Sequence, residues 1–381
     1  MPTLRDKLRS VQSMPRCSTV SRPVPQDCYV RETFLALPER ASIADGILSL
    51  MQGDPSIPHH TDPAEMLFLD TETTGLSHGA GTVAFLVGTG RIDGKGIRVH
   101  QYLMRDYDEE TFVLKRVLSD LDKCSVLVTY NGRSFDMPLL QSRCIMNRIS
   151  HDFSTIPHAD ILYTARRVFK LRLRDCRLSA LEETVFHAPR ADDLPGSEVP
   201  QRYFDYLQKH DFSLLEDILA HNAQDIASLA RLTFLLAGLH SDPLTAEHLQ
   251  DIYSLGRVFD RRGKAHEARV CYRAADAGSM SGLSRIRLAE NLKKSGRAED
   301  AVNVYIKMIR AHQGGAGPYI AMSKLLEHRL KNIPAAARTA MDGIRFVADM
   351  PDTDENRAAL EDLKGRYARL FRKMEKRPHD I

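Results

Sequence analysis

Between Met66 and Met146 the sequence alternates between two hydrophobic periods in an order that admits few folds. "MLFLD" is short, apolar and ends on turn residues, and "GTVAFLVGTGRI" is β-branched and nearly continuous, as expected of a strand covered on both faces. "IRVHQYLM" follows after "DGKG", a hairpin-type connection. The period then changes: "DEETFVLKRVLSDLD" places apolar residues at 112, 113, 114, 117 and 118 behind an acidic start, a helix pattern. "SVLVTYN" reads as another buried strand and "FDMPLLQSRCIM" as another helix. This order predicts a three-stranded meander extended by parallel strands through a crossover helix, a mixed α/β sheet with helices on both faces.

The flanks differ from this core. Residues 1–60 are rich in Pro, Ser and charge, with one short helix expected at "SIADGILSLM"; they read as an irregular N-terminal extension packed on the core. After the polar break "PSIPHHTDPAE", residues 61–240 form the expected α/β domain, closed by a long helix over 213–239 with Ser213 as N-cap and Glu216 completing a capping box. Residues 242–381 read as helical pairs. Leu255, Gly256 and Phe259, then Ala268, Tyr272 and Ala275, fall at the offsets of a tetratricopeptide helix pair. The unit recurs as Leu288–Ala289, Ala301 and Tyr305, 33 residues on from Ala268 to Ala301, and more weakly as Met322–Ser323, Leu326 and Ala337, with residues 354–374 as a cap. A generic helical bundle is the plainer reading.

A chain of 381 residues, 43% apolar and 27% charged, has ample material for buried cores. Its net charge of +3 does not argue for a polyanionic partner, so any electrostatic case rests on local clusters. Six cysteines, at 17, 28, 124, 144, 176 and 271, include no CxxC pair and read as reduced thiols. No apolar signal core opens the chain and no run approaches 18 apolar residues, so a cytoplasmic protein with no membrane partner is expected.

"LFLDTETTGL" sets Asp70 and Glu72 two residues apart directly after a buried run. Residues i and i+2 of a strand share a face, so two negative charges point the same way and repel unless a proton or cation joins them. Hard divalent cations prefer carboxylate oxygens. Taken alone, the pair also fits an ordinary surface. Two further acids add to it: Asp136 opens the helix after "YNGRS", where Gly132 permits a tight turn, and Asp225 lies mid-helix in "HNAQDIASL" with His221 one turn earlier. As bland alternatives, Asp136 caps a helix and Asp225 lies on a solvated face.

"FLDTETTGL", "YNGRSFDMPLL" and "HNAQDIASLARL" resemble, in order and spacing, the three motifs of the DEDD exonuclease branch of the ribonuclease H-like superfamily. "CRLSALEETV" and "ADDLPGSEVPQRYFDYL" resemble, more narrowly, the YprB-like family. The resemblance implies a metal-dependent 3′–5′ exonuclease acting on single-stranded DNA or RNA through two divalent ions, Mg²⁺ or Mn²⁺. Asp70, Glu72 and Asp225 would hold one ion, and Asp70 and Asp136 the second. The third motif departs from the family. His221 has three residues between it and Asp225, the spacing of the Tyr-type helper with a His side chain, so general base and ligand-orienting residue both stay open. Thr73, Thr74 and Asn131 match positions that contact a terminal nucleotide; His78 is a surface histidine or a weaker catalytic candidate.

"ARRVFKLRLRDCRL" carries Arg166, Arg167, Lys170, Arg172, Arg174 and Arg177 within twelve residues, with Phe169 and Tyr163 available for base stacking. A phosphate track and a solvated helix face both fit. The helical repeats suggest a protein partner along a concave face. A non-catalytic nucleic-acid binder, or a tetratricopeptide scaffold retaining the fold, is the alternative reading.

Overall fold

Met66 and Phe68 face one side of a sheet strand and Leu67 and Leu69 the other, all four buried, and the fold grows outward from that doubly covered strand. The computed structural model describes residues 27–37, 42–75, 81–190 and 194–375. In chain order these form β1 (Tyr29–Ala36), α1 (Ile47–Gln52), β2 (Met66–Thr73), β3 (Ala84–Asp93), β4 (Gly96–Leu103), α2 (Glu110–Leu121), β5 (Val126–Thr129), α3 (Asp136–Met146), β6 (His158–Asp160), α4 (Ile161–Phe169), α5 (Leu178–Thr184), α6 (Val199–Lys209) and α7 (Ser213–Ser241). The sheet order is β1-β4-β3-β2-β5-β6. β2, β3 and β4 make the antiparallel meander, while β5 and β6 continue in parallel from β2. The mixed sheet read from the sequence is therefore present, with one strand more on the parallel side.

Residues 29–36 correct the expectation of an irregular extension. They form β1, antiparallel to β4 along its length from Tyr29↔Leu103 to Ala36↔Gly96. As an edge strand it alternates half-buried and exposed positions and carries no apolar run, and it sits in Pro- and Ser-rich surroundings, so nothing marked it. The helix expected at "SIADGILSLM" is α1, which buries Leu48 and Met51.

α7 lies across β2, β3 and β4. Two glycines of β3 admit it: a Cβ at Gly88 would stand 2.2 Å from Asn222 Oδ1 and 2.4 Å from Ile226 Cδ1, and one at Gly90 2.4 Å from Ile226 Cγ2. The start of α7 differs from the expected capping box. Asp211 Oδ1 accepts from the Ser213 backbone N–H at 3.0 Å and its hydroxyl at 2.7 Å, while Glu216 pairs with Arg31 on β1 at 2.6 Å.

Beyond α7 come α8 (Leu249–Arg261), α9 (Ala265–Ala274), α10 (Ser281–Lys294), α11 (Ala298–Arg310), α12 (Gly317–His328), α13 (Ile333–Ala348) and α14 (Asp354–Glu375), each packed on the next. Small residues set their approach. A Cβ at Gly256 would stand 2.8 Å from the Tyr272 ring, and Ala268, Ala289 and Ala301 are fully buried. One hydrophobic core runs from the sheet into this array: α4 packs on α8, and Arg172 pairs with the buried Asp251 at 2.8 Å. Cys28, Cys124, Cys144, Cys176 and Cys271 are free thiols. Among the described residues no helix is long and apolar enough to cross a membrane.

Candidate functional site

β2 ends at a register shift between Glu72 and Thr73, a bulge that breaks pairing where the acidic residues emerge. Asp70 and Glu72 continue the face of Met66 and Phe68, the side covered by α7. From that helix the buried Asn222 donates to Asp70 Oδ2 at 2.9 Å, and the buried Gln101 donates in turn to Asn222 Oδ1 at 3.0 Å and to the Leu219 carbonyl at 2.7 Å. Asn222 and Gln101 escaped the sequence reading because they meet only when α7 crosses the sheet. Desolvation, followed by the charges of Asp225, Glu72 and Asp136, holds the Asp70 carboxyl well above the usual range; the Asn222 hydrogen bond pulls the other way. Thr73 donates to the Gly75 carbonyl at 2.8 Å, and Thr74 Oγ1 accepts from the Val83 N–H at 3.0 Å, so both hydroxyls shape the loop after the strand. His78 lies outside the described residues.

Asp136 arrives from the other side. Thr71 points away from Asp70 and donates to Asp136 Oδ1 at 2.5 Å. Desolvation raises the Asp136 carboxyl to about 6 against the opposing Thr71 bond. The turn before it is left-handed at Asn131, φ 69°, rather than at Gly132. Gly132 is required for a different reason, since a Cβ there would stand 2.5 Å from Thr129 and 2.8 Å from Asp136 Oδ2. The buried Asp160 fixes this turn by accepting from the N–H groups of Asn131 (2.9 Å) and Arg133 (3.2 Å).

Asp225 is engaged by a residue the sequence reading did not mention. Arg190 donates to Asp225 Oδ1, makes a two-pronged pair with the buried Glu182 (Nη2 to Oε1 2.9 Å), and places Nη1 3.3 Å from His221 Nδ1. Ser228 and Gln224 of α7 also donate to Glu182. The His221 Nε2 stands 3.5 Å from Asp225 Oδ2. Burial works against the Arg190 cation, but Glu182 and Asp225 outweigh it and keep the guanidinium charged. Asp225 itself is raised by desolvation, opposed by Arg190 and His221. Nothing in the spacing of residues 182, 190 and 225 announces this contact, which exists only in the folded chain.

Residues 67–237 match the model of the RNase_H superfamily. The uncharacterized protein YprB of Bacillus subtilis (strain 168) is 30% identical over 316 residues, covering 81% of this chain and 75% of that protein. This chain belongs to the YprB family and carries an RNase_H superfamily domain over residues 67–237. A solved structure, the family B DNA polymerase of the hyperthermophilic archaeon Pyrobaculum calidifontis, is similar over 81% of this chain and 46% of the polymerase, at 12% identity and a TM-score of 0.37. The chain thus spans about half the length of that polymerase.

In this YprB-family chain the four acids expected to hold metal are not drawn onto one another. Among the described residues, no three His, Cys, Asp or Glu side chains converge as a metal-holding group. Asp225 is turned onto Arg190 and Asp136 onto Thr71. The donor chemistry still fits hard divalent cations: the acids offer only oxygen, and burial and mutual repulsion make Asp70 short of positive charge.

The basic segment divides. Arg166, Lys170, Arg174 and Arg177 line a cleft of about 340 Å³ with Tyr130 and Asn131, which joins three predicted substrate contacts (Asn131, Arg166 and Lys170) beside the turn that leads to Asp136. Arg167 instead donates to the Met51 carbonyl at 3.3 Å, and Arg172 is committed to Asp251. Phe169, expected to stack on bases, is 1% exposed and belongs to the core; Tyr163, at 41%, is open to solvent. Arg166 and Arg167 are neighbours on α4, where side chains step about 100° per residue, so the two cannot face one partner.

Proposed function

We propose that this chain is a metal-dependent nuclease that hydrolyses phosphodiester bonds, acting as a 3′–5′ exonuclease on single-stranded DNA or RNA. The observation that carries the reading is that Glu72, Asp136 and Asp225 all lie near enough to bear on the carboxylate of Asp70, which Asn222 holds on the central strand of a ribonuclease H-like sheet. Asp70, Glu72 and Asp225 would hold one ion, and Asp70 with Asp136 a second. Bound there, Mg²⁺ or Mn²⁺ would activate a water and stabilise the leaving oxygen. The chain's own part is positional. Asn222 aims Asp70, and the cleft with Asn131, Arg166 and Lys170 receives the strand's phosphates. His221, whose two nitrogens face Arg190 and Asp225, acts as a positioning residue for Asp225 rather than as the base. Arg190 supplies a resident positive charge that keeps Asp225 ionised and aimed, and it must share that carboxylate when ions bind. The helical pairs are read as tetratricopeptide-like and the location as cytoplasmic.

One observation favours a second reading, a non-catalytic nucleic-acid binder: Arg190 already occupies Asp225. Incubation of 3′- and 5′-labelled single-stranded DNA and RNA with Mg²⁺ or Mn²⁺ separates the two. Shortening from the 3′ end that disappears in Asp70→Asn and Asp225→Asn supports the nuclease. Binding without cleavage under every metal condition supports the binder.

A further inference from the structure

Helices α10, α11 and α12 enclose a groove of about 890 Å³, toward the upper end of the ~300–1,000 Å³ usual for ligand sites. Its floor is aliphatic, with half-buried Ile320 and buried Leu325. Its rim carries four exposed cations, Lys293, Lys294, Lys324 and Arg329, and no carboxylate lines it. Among the described residues none of the four pairs with an acid, while nearby Arg287 and Arg297 are matched by Glu290 (3.0 Å) and Asp300 (2.6 Å). Helix-end electrostatics explain part of this, since Lys293, Lys294 and Arg329 sit where α10 and α12 end. They do not explain Lys324, a full turn before the end of α12, or the missing acids.

Two kinds of polyanion suit such a rim. A single nucleic-acid strand gains much of its affinity from bases stacked on aromatic side chains, and no Phe, Tyr or Trp lines this groove. An acidic peptide needs cations for its carboxylates and an apolar trough for its aliphatic side chains, and both are present. We propose that this groove binds an extended acidic segment of a partner protein, with Leu-, Ile- or Val-type side chains on the floor and Asp or Glu side chains on the four cations. The proposal stands independently of the nuclease reading.

A random twelve-residue peptide display library panned on the intact chain tests it, with the Lys293→Glu/Lys294→Glu/Lys324→Glu variant in parallel. Wild type should enrich sequences mixing Asp or Glu with aliphatic residues. Fluorescence anisotropy with a selected peptide should then show binding weakened about tenfold or more in the charge-reversed chain, whose exposed substitutions leave the circular dichroism unchanged. Ala321→Met, which fills the floor at constant charge, should weaken the same peptide. Absence of acidic–aliphatic enrichment on wild type overturns the proposal, as does retention of the peptide by the charge-reversed chain. So does loss of oligo(dT) binding, in place of peptide binding, in that variant.

Discussion

Arg190 and Asp225 are joined at the mouth of the acidic site, the guanidinium held from behind by Glu182, which is only 1% exposed. Arg190→Gln strands that buried carboxylate, which costs about 3–5 kcal/mol when one partner of a buried pair is removed. Urea unfolding should show this loss, and the double variant Glu182→Gln/Arg190→Gln should recover more than half of it. With the resident cation gone, the double variant should also bind Mn²⁺ about tenfold more tightly, or ~1.4 kcal/mol, in a paramagnetic titration. Equal or weaker binding would mean that Arg190 supports the ions instead of competing with them.

Asp70 is uncomfortable as an anion in the metal-free fold. An acid whose affinity for protons rises on folding destabilises the native state once it ionises, so its neutral isostere relieves the fold. Asp70→Asn should therefore raise stability by about 1–2 kcal/mol in EDTA at pH 8, while nuclease activity falls by more than ~100-fold. A melting scan and a gel assay on one preparation read both. A variant both less stable and inactive would refute the charge account.

Gly88 is the gate for α7. Gly88→Ala drives a methyl into Asn222 and Ile226, so the helix must move or Asn222 must release Asp70. We expect a loss of about 1–3 kcal/mol from overpacking and a drop in activity, whereas Gly94→Ala, in open space, costs stability through its positive φ without touching activity.

Two histidines, the half-buried His158 and the buried His240, oppose acid. Burial is the main cause that lowers His158 and His240 to about 4. The unfolded chain binds these protons near 6.5, so stability is complete above that pH and falls as pH drops toward 4. Each contributes about 3 kcal/mol across that window. Protonation of Asp70 and Asp136 stabilises the fold over part of the same range, so the histidine share is read as a difference in denaturation midpoints between variants. His240→Phe, beside Phe259, should lose less stability than wild type between pH 7 and 4, by about half of the histidine share.

Legibility tracked locality. β2 to β5 and the four acids were readable because each is announced by its own few neighbours, an apolar run and then a charge. Asn222, Gln101, Glu182 and Arg190 were not, because their roles arise around α7, where residues 8 to 152 positions apart come into contact. Phe169 was misassigned because the run that made it look like a nucleic-acid contact hides which helix face α8 covers. β1 was missed because an edge strand is defined by its partner β4, not by hydrophobicity.

The seam at Arg172 and Asp251, and the apolar layer that crosses it, tie the sheet to the first helices of the array. Melting should consequently be a single cooperative event for sheet and helices alike. Any guest seated among α10, α11 and α12 would then add its binding free energy to the thermal resistance of the acidic site as well.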